Sequence, residues 1–153
     1  MHANEMFSQL KKYFRQNKQE REILNRTFVW LLFSFILVRI IPLKWFSSLL
    51  GEFNSTLTAG GTELEAADLI KITSVNKSIK RIKRILPWKV KCFEEAITAK
   101  KILEKYKIKS TLYLGVDKDE NKQLIAHAWL NNGDFNITGG NVATKFKVVG
   151  FYS

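Results

Sequence analysis

The spacing of apolar residues changes once along this chain, close to residue 107. Before that point apolar residues recur at three- and four-residue steps, which indicates amphipathic helices. After it, short apolar runs are separated by turn residues such as Asn132-Gly133, which predicts strands joined by hairpins. Helices followed by an antiparallel sheet make an α+β fold. Within 153 residues we expect a helical region at 1–60 and a core domain at 61–153.

The composition excludes several classes of protein. Apolar residues make up 46% of the chain, which allows a packed core and argues against global disorder. Cys92 is the single cysteine, so no internal disulfide can form and a reducing, cytoplasmic location is expected. His2 and His127 are the two histidines, too few for a tetrahedral zinc centre, and we expect neither a metal nor a cofactor. The polar, charged residues 1–22 are unlike a secretory signal peptide.

The most apolar run is TFVWLLFSFILV at 27–38, preceded by a weakly amphipathic helical pattern at 5–26. This run ends at Arg39, well short of the roughly 20 residues that a membrane-spanning helix needs. We therefore expect a buried or interfacial helix. A second interpretation stays open, in which 27–50 form a tilted anchor in contact with a membrane surface. Arg39 and Lys44 would then reach the headgroups.

The formal charge of +11 is concentrated in one stretch, 71–91, which holds eight basic residues and no acidic ones. We predict a helix there from about Glu63 to Leu86, ended by Pro87. Its apolar face is formed by Leu69, Ile72, Val75, Ile79, Ile82 and Ile85. A basic face suits an acidic peptide, nucleic acid or anionic lipid, or it is a solvated surface. Nucleic acid is not expected, because no aromatic residues interleave with the basic ones and no known motif is present.

Cys92 stands where an extended segment after Pro87-Trp88 turns into a helix predicted over Phe93–Tyr106. Free backbone N–H groups and the positive end of a helix favour a thiolate, which is an activated nucleophile. Lys89 and Lys91 add to this effect, whereas Glu94 and Glu95 oppose it. The alternative is an inert, buried cysteine.

His127 lies inside the predicted strand Leu124–Asn131, among apolar neighbours. A polar ring in such a place must face a partner or water. A cysteine at a helix start followed by a histidine in a strand is the order found in papain-like and transglutaminase-like enzymes. In that arrangement the imidazole takes the thiol proton and then protonates the leaving amine.

A third catalytic member is less defined by the sequence. If the hairpin turns at Gly133, the residue opposite His127 is about Thr138 or Gly139. Asp134 lies in the turn, far from His127 at about 3.3 Å per residue. The other candidates to orient the imidazole are Thr138, a backbone carbonyl, Asn136 and Asn141.

The chain from Pro87 onward resembles the stand-alone B proteins of lasso-peptide biosynthesis, which are leader peptidases with a transglutaminase-like fold. The similar segments are Pro87-Trp88, Lys91-Cys92-Phe93, Ala99-Lys100, Ser110–Val116, Ala126–Leu130, Gly133-Asp134 and Thr138-Gly139-Gly140. The similarity extends over roughly 25–153, and Cys92 and His127 match the nucleophile and the base of that family.

The resemblance implies a bacterial cysteine peptidase that removes the leader from a ribosomally made precursor. A separate leader-recognition protein would deliver the precursor, and an ATP-dependent macrolactam synthetase would take the product. The chain departs from the family in two places: it has no acid near Thr138-Gly139, and Glu95 replaces a common Gln. Two alternatives remain, a non-catalytic protein that binds precursor or membrane through the basic 71–91 helix, and acyl transfer to an amine.

Overall fold

In residues 18–55 and 64–153, which the computed structural model describes, four α-helices precede a four-stranded antiparallel sheet. The helices are α1 (Lys18–Ile40), α2 (Leu43–Phe46), α3 (Ala66–Lys83) and α4 (Cys92–Lys105). The strands are β1 (Thr111–Lys118), β2 (Leu124–Asn132), β3 (Phe135–Thr138) and β4 (Lys147–Tyr152), and short 3-10 helices span Ser47–Leu50 and Gly140–Lys145. The strand order is β3-β2-β1-β4. The α+β prediction is confirmed.

The apolar run forms part of α1, a helix of 23 residues that already begins in the polar segment before it. Residues 5–17 of the predicted amphipathic helix lie outside the described residues. One face of α1 packs on α3 and α4 and buries Ile23, Thr27, Leu31, Ser34 and Leu37. By length and composition α1 is long and apolar enough to cross a membrane, a test that a buried core helix also passes.

The basic helix α3 is shorter than predicted at both ends. Four of its six predicted apolar positions are buried, whereas Leu69 is 38% and Ile85 is 63% exposed. Ile85 lies outside the helix, because the backbone turns after Lys83 and Pro87 cannot continue the helical hydrogen bonding. Leu69 stands in the first turn of α3.

One hydrophobic core joins the helices to the sheet. It contains side chains of α1, α3 and α4 together with β1, β2, β3 and β4, among them Leu37, Val75, Ile97, Leu112, Leu130, Ile137 and Tyr152. Residues of both predicted regions, 1–60 and 61–153, therefore share this core, and the boundary between them stays a prediction.

Lys100 of α4 is a cation inside this fold, with only 3% of its surface exposed. Its Nζ donates a hydrogen bond of 2.7 Å to the Ser110 carbonyl, and a Glu104 carboxylate oxygen lies 3.7 Å away. Burial lowers the pKa of Lys100 below its ordinary value of 10.5, and the Glu104 carboxylate offsets part of this effect.

We expect Lys100 to make stability rise with pH in the alkaline range. Between the lowered folded-state pKa and 10.5, the unfolded chain binds more protons at this residue than the folded chain does. The free energy of unfolding of the wild type should therefore increase relative to Lys100→Met as the pH is raised toward 10.5, by about 1.4 kcal/mol for each unit by which the pKa is lowered.

Urea unfolding at several pH values measures this difference. Lys109→Met, at an exposed lysine, is the matched control and should show no such trend. A difference between wild type and Lys100→Met that stays constant with pH would contradict the prediction.

Candidate active site

Cys92 is the first residue of α4, and the backbone of Lys91 before it is extended (φ −89°, ψ 158°). The thiol is free, half-buried and packed against the core. Its position matches the expected transition from extended chain to helix.

The start of α4 is held by Glu94, whose side chain is fully buried. Its Oε2 accepts a hydrogen bond of 3.1 Å from the Lys91 backbone N–H, and its Oε1 forms an ion pair with Arg39 at the end of α1. Arg39 also donates to the Lys89 carbonyl at 3.4 Å and lies 3.9 Å over the ring of Phe35. The chain on both sides of Cys92 is thereby fixed to α1.

Both carboxylates near Cys92 are thus ion-paired, Glu94 with Arg39 and Glu95 with Lys83 of α3. The sequence had indicated that these two charges oppose a thiolate. Each has a cationic partner on another helix. Arg39 is 55 positions from Glu94, so local sequence gave no signal of this pair.

His127 lies in β2, opposite Gly115 of β1. Its Nε2 is 2.8 Å from the Gly139 carbonyl oxygen, and its ring centroid is 5.0 Å from that of Phe146. A carbonyl only accepts hydrogen bonds, so this contact assigns the hydrogen of the neutral ring to Nε2. Nδ1 is then the nitrogen with a free lone pair, and it is the one able to act as a base.

Gly139 has a left-handed backbone, with φ +73°. A Cβ at this position would lie 2.8 Å from the Ala128 carbonyl oxygen and 3.2 Å from His127 Nε2. Both the backbone angle and the space therefore require glycine here. At the position where the family resemblance led us to look for an acid, a main-chain oxygen contacts the imidazole instead.

Asn136 holds the turn that carries the Gly139 carbonyl. Its Oδ1 accepts from the Gly140 N–H at 3.0 Å, and its Nδ2 donates to Asn131 Oδ1 at 2.8 Å and to the Thr138 carbonyl at 3.2 Å. Asn136 is therefore a support for the Gly139 turn and does not itself bond to the imidazole.

The remaining candidates for a third member lie elsewhere. Asp134 is exposed in the β2–β3 turn, as the hairpin predicted. Thr138 pairs with Leu130, and not with His127, because the hairpin turns at Gly133-Asp134 and the register then shifts by one residue between Leu130 and Asn131. The buried Thr138 hydroxyl has no hydrogen-bond partner among the described residues. Asn141 is exposed at the edge of the cavity that adjoins His127.

That cavity has a volume of about 370 Å³ and lies between α3 and the segment 136–142. Its lining includes His127, Thr138, Lys80 of α3 and Glu95 of α4. Glu95 belongs to the first turn of the helix that begins at Cys92. The cavity thus adjoins both the imidazole and the first turn of α4, but Cys92 itself is not part of its lining.

The structure does not join the two halves of the predicted dyad. No hydrogen bond links the Cys92 thiol to His127 in the described part of the chain. Side chains alternate along β2, so Ala128 joins the core beneath α4, whereas His127 and Trp129 project from the other face with ring centroids 6.0 Å apart. The pairing of Cys92 with His127 as a dyad therefore stays a prediction.

Comparison with protein families gave one finding. The family model of the transglutaminase-like superfamily matches residues 37–150, a range that includes Cys92, His127 and Gly139. Comparisons with curated proteins and with solved structures gave no match.

We expect Gly139→Ala to disturb both stability and the imidazole. The new Cβ meets the Ala128 carbonyl and His127 in an already unfavourable left-handed backbone, so unfolding should become easier by about 2 kcal/mol. The ¹⁵N chemical shifts of the His127 ring should lose the pattern of a single Nε2–H tautomer.

Gly133→Ala is the matched control, since Gly133 also has a positive φ, of 51°, but lies in the β2–β3 turn. This variant should lower the free energy of unfolding only through backbone strain, by about 1 kcal/mol. It should leave the ¹⁵N chemical shifts of His127 unchanged. Equal ring spectra for the two variants would show that the Gly139 carbonyl does not set the tautomer.

Proposed function

Because this chain belongs to the transglutaminase-like superfamily, whose members typically use a catalytic cysteine as peptidases or transferases, we propose that it is a cysteine peptidase. Cys92 is the nucleophile and His127 the general base of this proposal. The observation that carries it is the 2.8 Å contact of His127 Nε2 with the Gly139 carbonyl, which leaves Nδ1 free to accept a proton beside the cavity.

The proposed reaction has two halves. In the first, Nδ1 takes the proton of the Cys92 thiol, and the thiolate attacks the scissile carbonyl carbon. The imidazolium returns that proton to the leaving amine, so the C–N bond breaks and a thioester remains on Cys92. In the second, Nδ1 deprotonates a water that attacks the thioester, and the acid product leaves as the thiol is restored.

The Gly139 carbonyl would hold the imidazole through both halves. As a neutral acceptor it stabilises the imidazolium less than a carboxylate would, because hydrogen bonds to charged groups are stronger. We therefore expect His127 to act as a base, but more slowly than the histidine of a complete Cys-His-Asp triad.

The substrate we propose is the precursor of a lasso peptide, cut between leader and core in the bacterial cytoplasm before the macrolactam forms. The similarity of the segments around Cys92 and His127 to the stand-alone B proteins supports this choice. Lys80, at the cavity, and the exposed basic residues of 77–91 offer a surface for an acidic leader. A separate recognition protein and the macrolactam synthetase would be the partners.

A second candidate is a non-catalytic precursor-binding protein that uses the basic 71–91 stretch. The lack of a hydrogen bond between the Cys92 thiol and His127 in the described residues, together with the lack of an acid at Gly139, favours it. The two functions differ in one measurable property, which is turnover that depends on the thiol.

We expect Cys92→Ala to abolish cleavage of a cognate precursor in the presence of the recognition protein. His127→Ala should slow cleavage by about 10²–10⁴-fold, the usual contribution of a general base. Mass spectrometry should show products that together gain one water, whereas acyl transfer to an amine would release ammonia.

Asp134→Ala is the control, because this exposed turn residue should leave the rate unchanged. Circular dichroism confirms that each variant is folded. Cleavage that survives in Cys92→Ala would contradict the proposed nucleophile. Precursor binding without any thiol-dependent cleavage would identify the binding protein instead.

A further inference from the structure

Helix α1 has a second apolar face, and it is exposed in the part of the protein that the structure describes. Its members are Phe28 (44% exposed), Val29 (62%), Leu32 (40%), Phe33 (43%), Ile36 (41%) and Ile40 (73%). At about 100° per residue these positions fall within an arc of about 140°, opposite to the buried residues of α1. We call this arc the outer face of α1. A continuous apolar surface of this kind normally marks an interaction site.

Cations stand at both ends of the outer face. Lys18 and Arg21 lie on the same arc at the start of α1, and Lys44 is exposed just beyond its end. None of the ion pairs within 18–55 and 64–153 involves these three residues. Trp45, next to Lys44, is 77% exposed, and tryptophan favours the boundary between headgroups and acyl chains.

We propose that the outer face of α1 seats the protein on an anionic lipid bilayer, with the helix lying in the plane of the interface. The apolar side chains from Phe28 to Ile40 would enter the headgroup boundary, and Lys18, Arg21 and Lys44 would bind lipid phosphates. This proposal concerns a surface other than the cavity beside His127 and does not depend on the proposed peptidase activity.

The packing of α1 favours this position over a membrane-spanning one. Helix α1 is fixed to α4 by the hydrogen bond between the Ser34 and Thr98 hydroxyls on its buried face and, at its end, by the ion pair of Arg39 with Glu94. To span a bilayer, α1 would have to break these contacts and leave the core.

Charge disfavours a second copy of this chain as the occupant. Each copy has a formal charge of +11, so association brings large like charges together. In a two-fold pair with antiparallel α1 helices, Lys18 and Arg21 of one copy would also approach Lys44 of the other. An anionic surface complements the same cations.

The test is co-sedimentation of the full chain with vesicles of phosphatidylcholine alone or mixed with phosphatidylglycerol. We expect binding to the mixed vesicles that weakens with added salt, and much weaker binding to phosphatidylcholine. The variant Val29→Ser/Phe33→Ser should lose at least about tenfold in vesicle affinity, and Lys18→Gln/Lys44→Gln should lose affinity for the mixed vesicles alone.

Leu124→Ser is the matched control, since Leu124 is an apolar residue 72% exposed on β2, away from α1. It should bind vesicles like the wild type, and circular dichroism should show all variants folded. Equal binding by Val29→Ser/Phe33→Ser and the wild type would overturn the proposal. A lack of vesicle binding by the wild type would also overturn it. This includes the case in which light scattering shows a dimer and Val29→Ser/Phe33→Ser dissociates that dimer.

Discussion

The ion pair between Arg39 and Glu94 is the interaction on which the arrangement around Cys92 depends. A fully buried carboxylate is expensive to desolvate, and removing one partner of a buried pair typically costs about 3–5 kcal/mol. Arg39 offsets that cost, and Glu94 in turn caps the backbone N–H of Lys91. The position of the thiol at the start of α4 is therefore tied to the end of α1, far away in sequence.

The imidazole is held by a different kind of interaction, made entirely by backbone. Gly139 can present its carbonyl to His127 only because a left-handed backbone brings the chain close to β2, and Asn136 fixes that turn through the Gly140 N–H. A main-chain acceptor sets the tautomer without adding a negative charge. Orientation of the base and stabilisation of its charged form, which a carboxylate supplies together, are thus separated in this protein.

The order of elements and the place of Cys92 were predictable because they depend on local patterns, namely apolar spacing, Pro87 and the turn at Gly133. The contacts that complete the site were not. The pairing of Arg39 with Glu94 joins residues 55 positions apart, and the bulge after Leu130 moves the pairing partner of Thr138 by one residue. A backbone carbonyl was one of several candidates from sequence, because no residue type identifies which main-chain oxygen will face a ring.

Helix α3 connects the two halves of the site. Lys83 pairs with Glu95 in the first turn of α4, and Asn76 Nδ2 donates 2.8 Å to the Ile137 carbonyl, two residues before the glycine that holds His127. Helix α3 therefore contacts both the first turn of α4 and the strand that precedes Gly139. An acidic peptide bound along the basic face of α3 would compete with Glu95 for Lys83, since like charges share one cation. In the proposed function, the charge of a bound peptide would thus act on the first turn of α4 through α3.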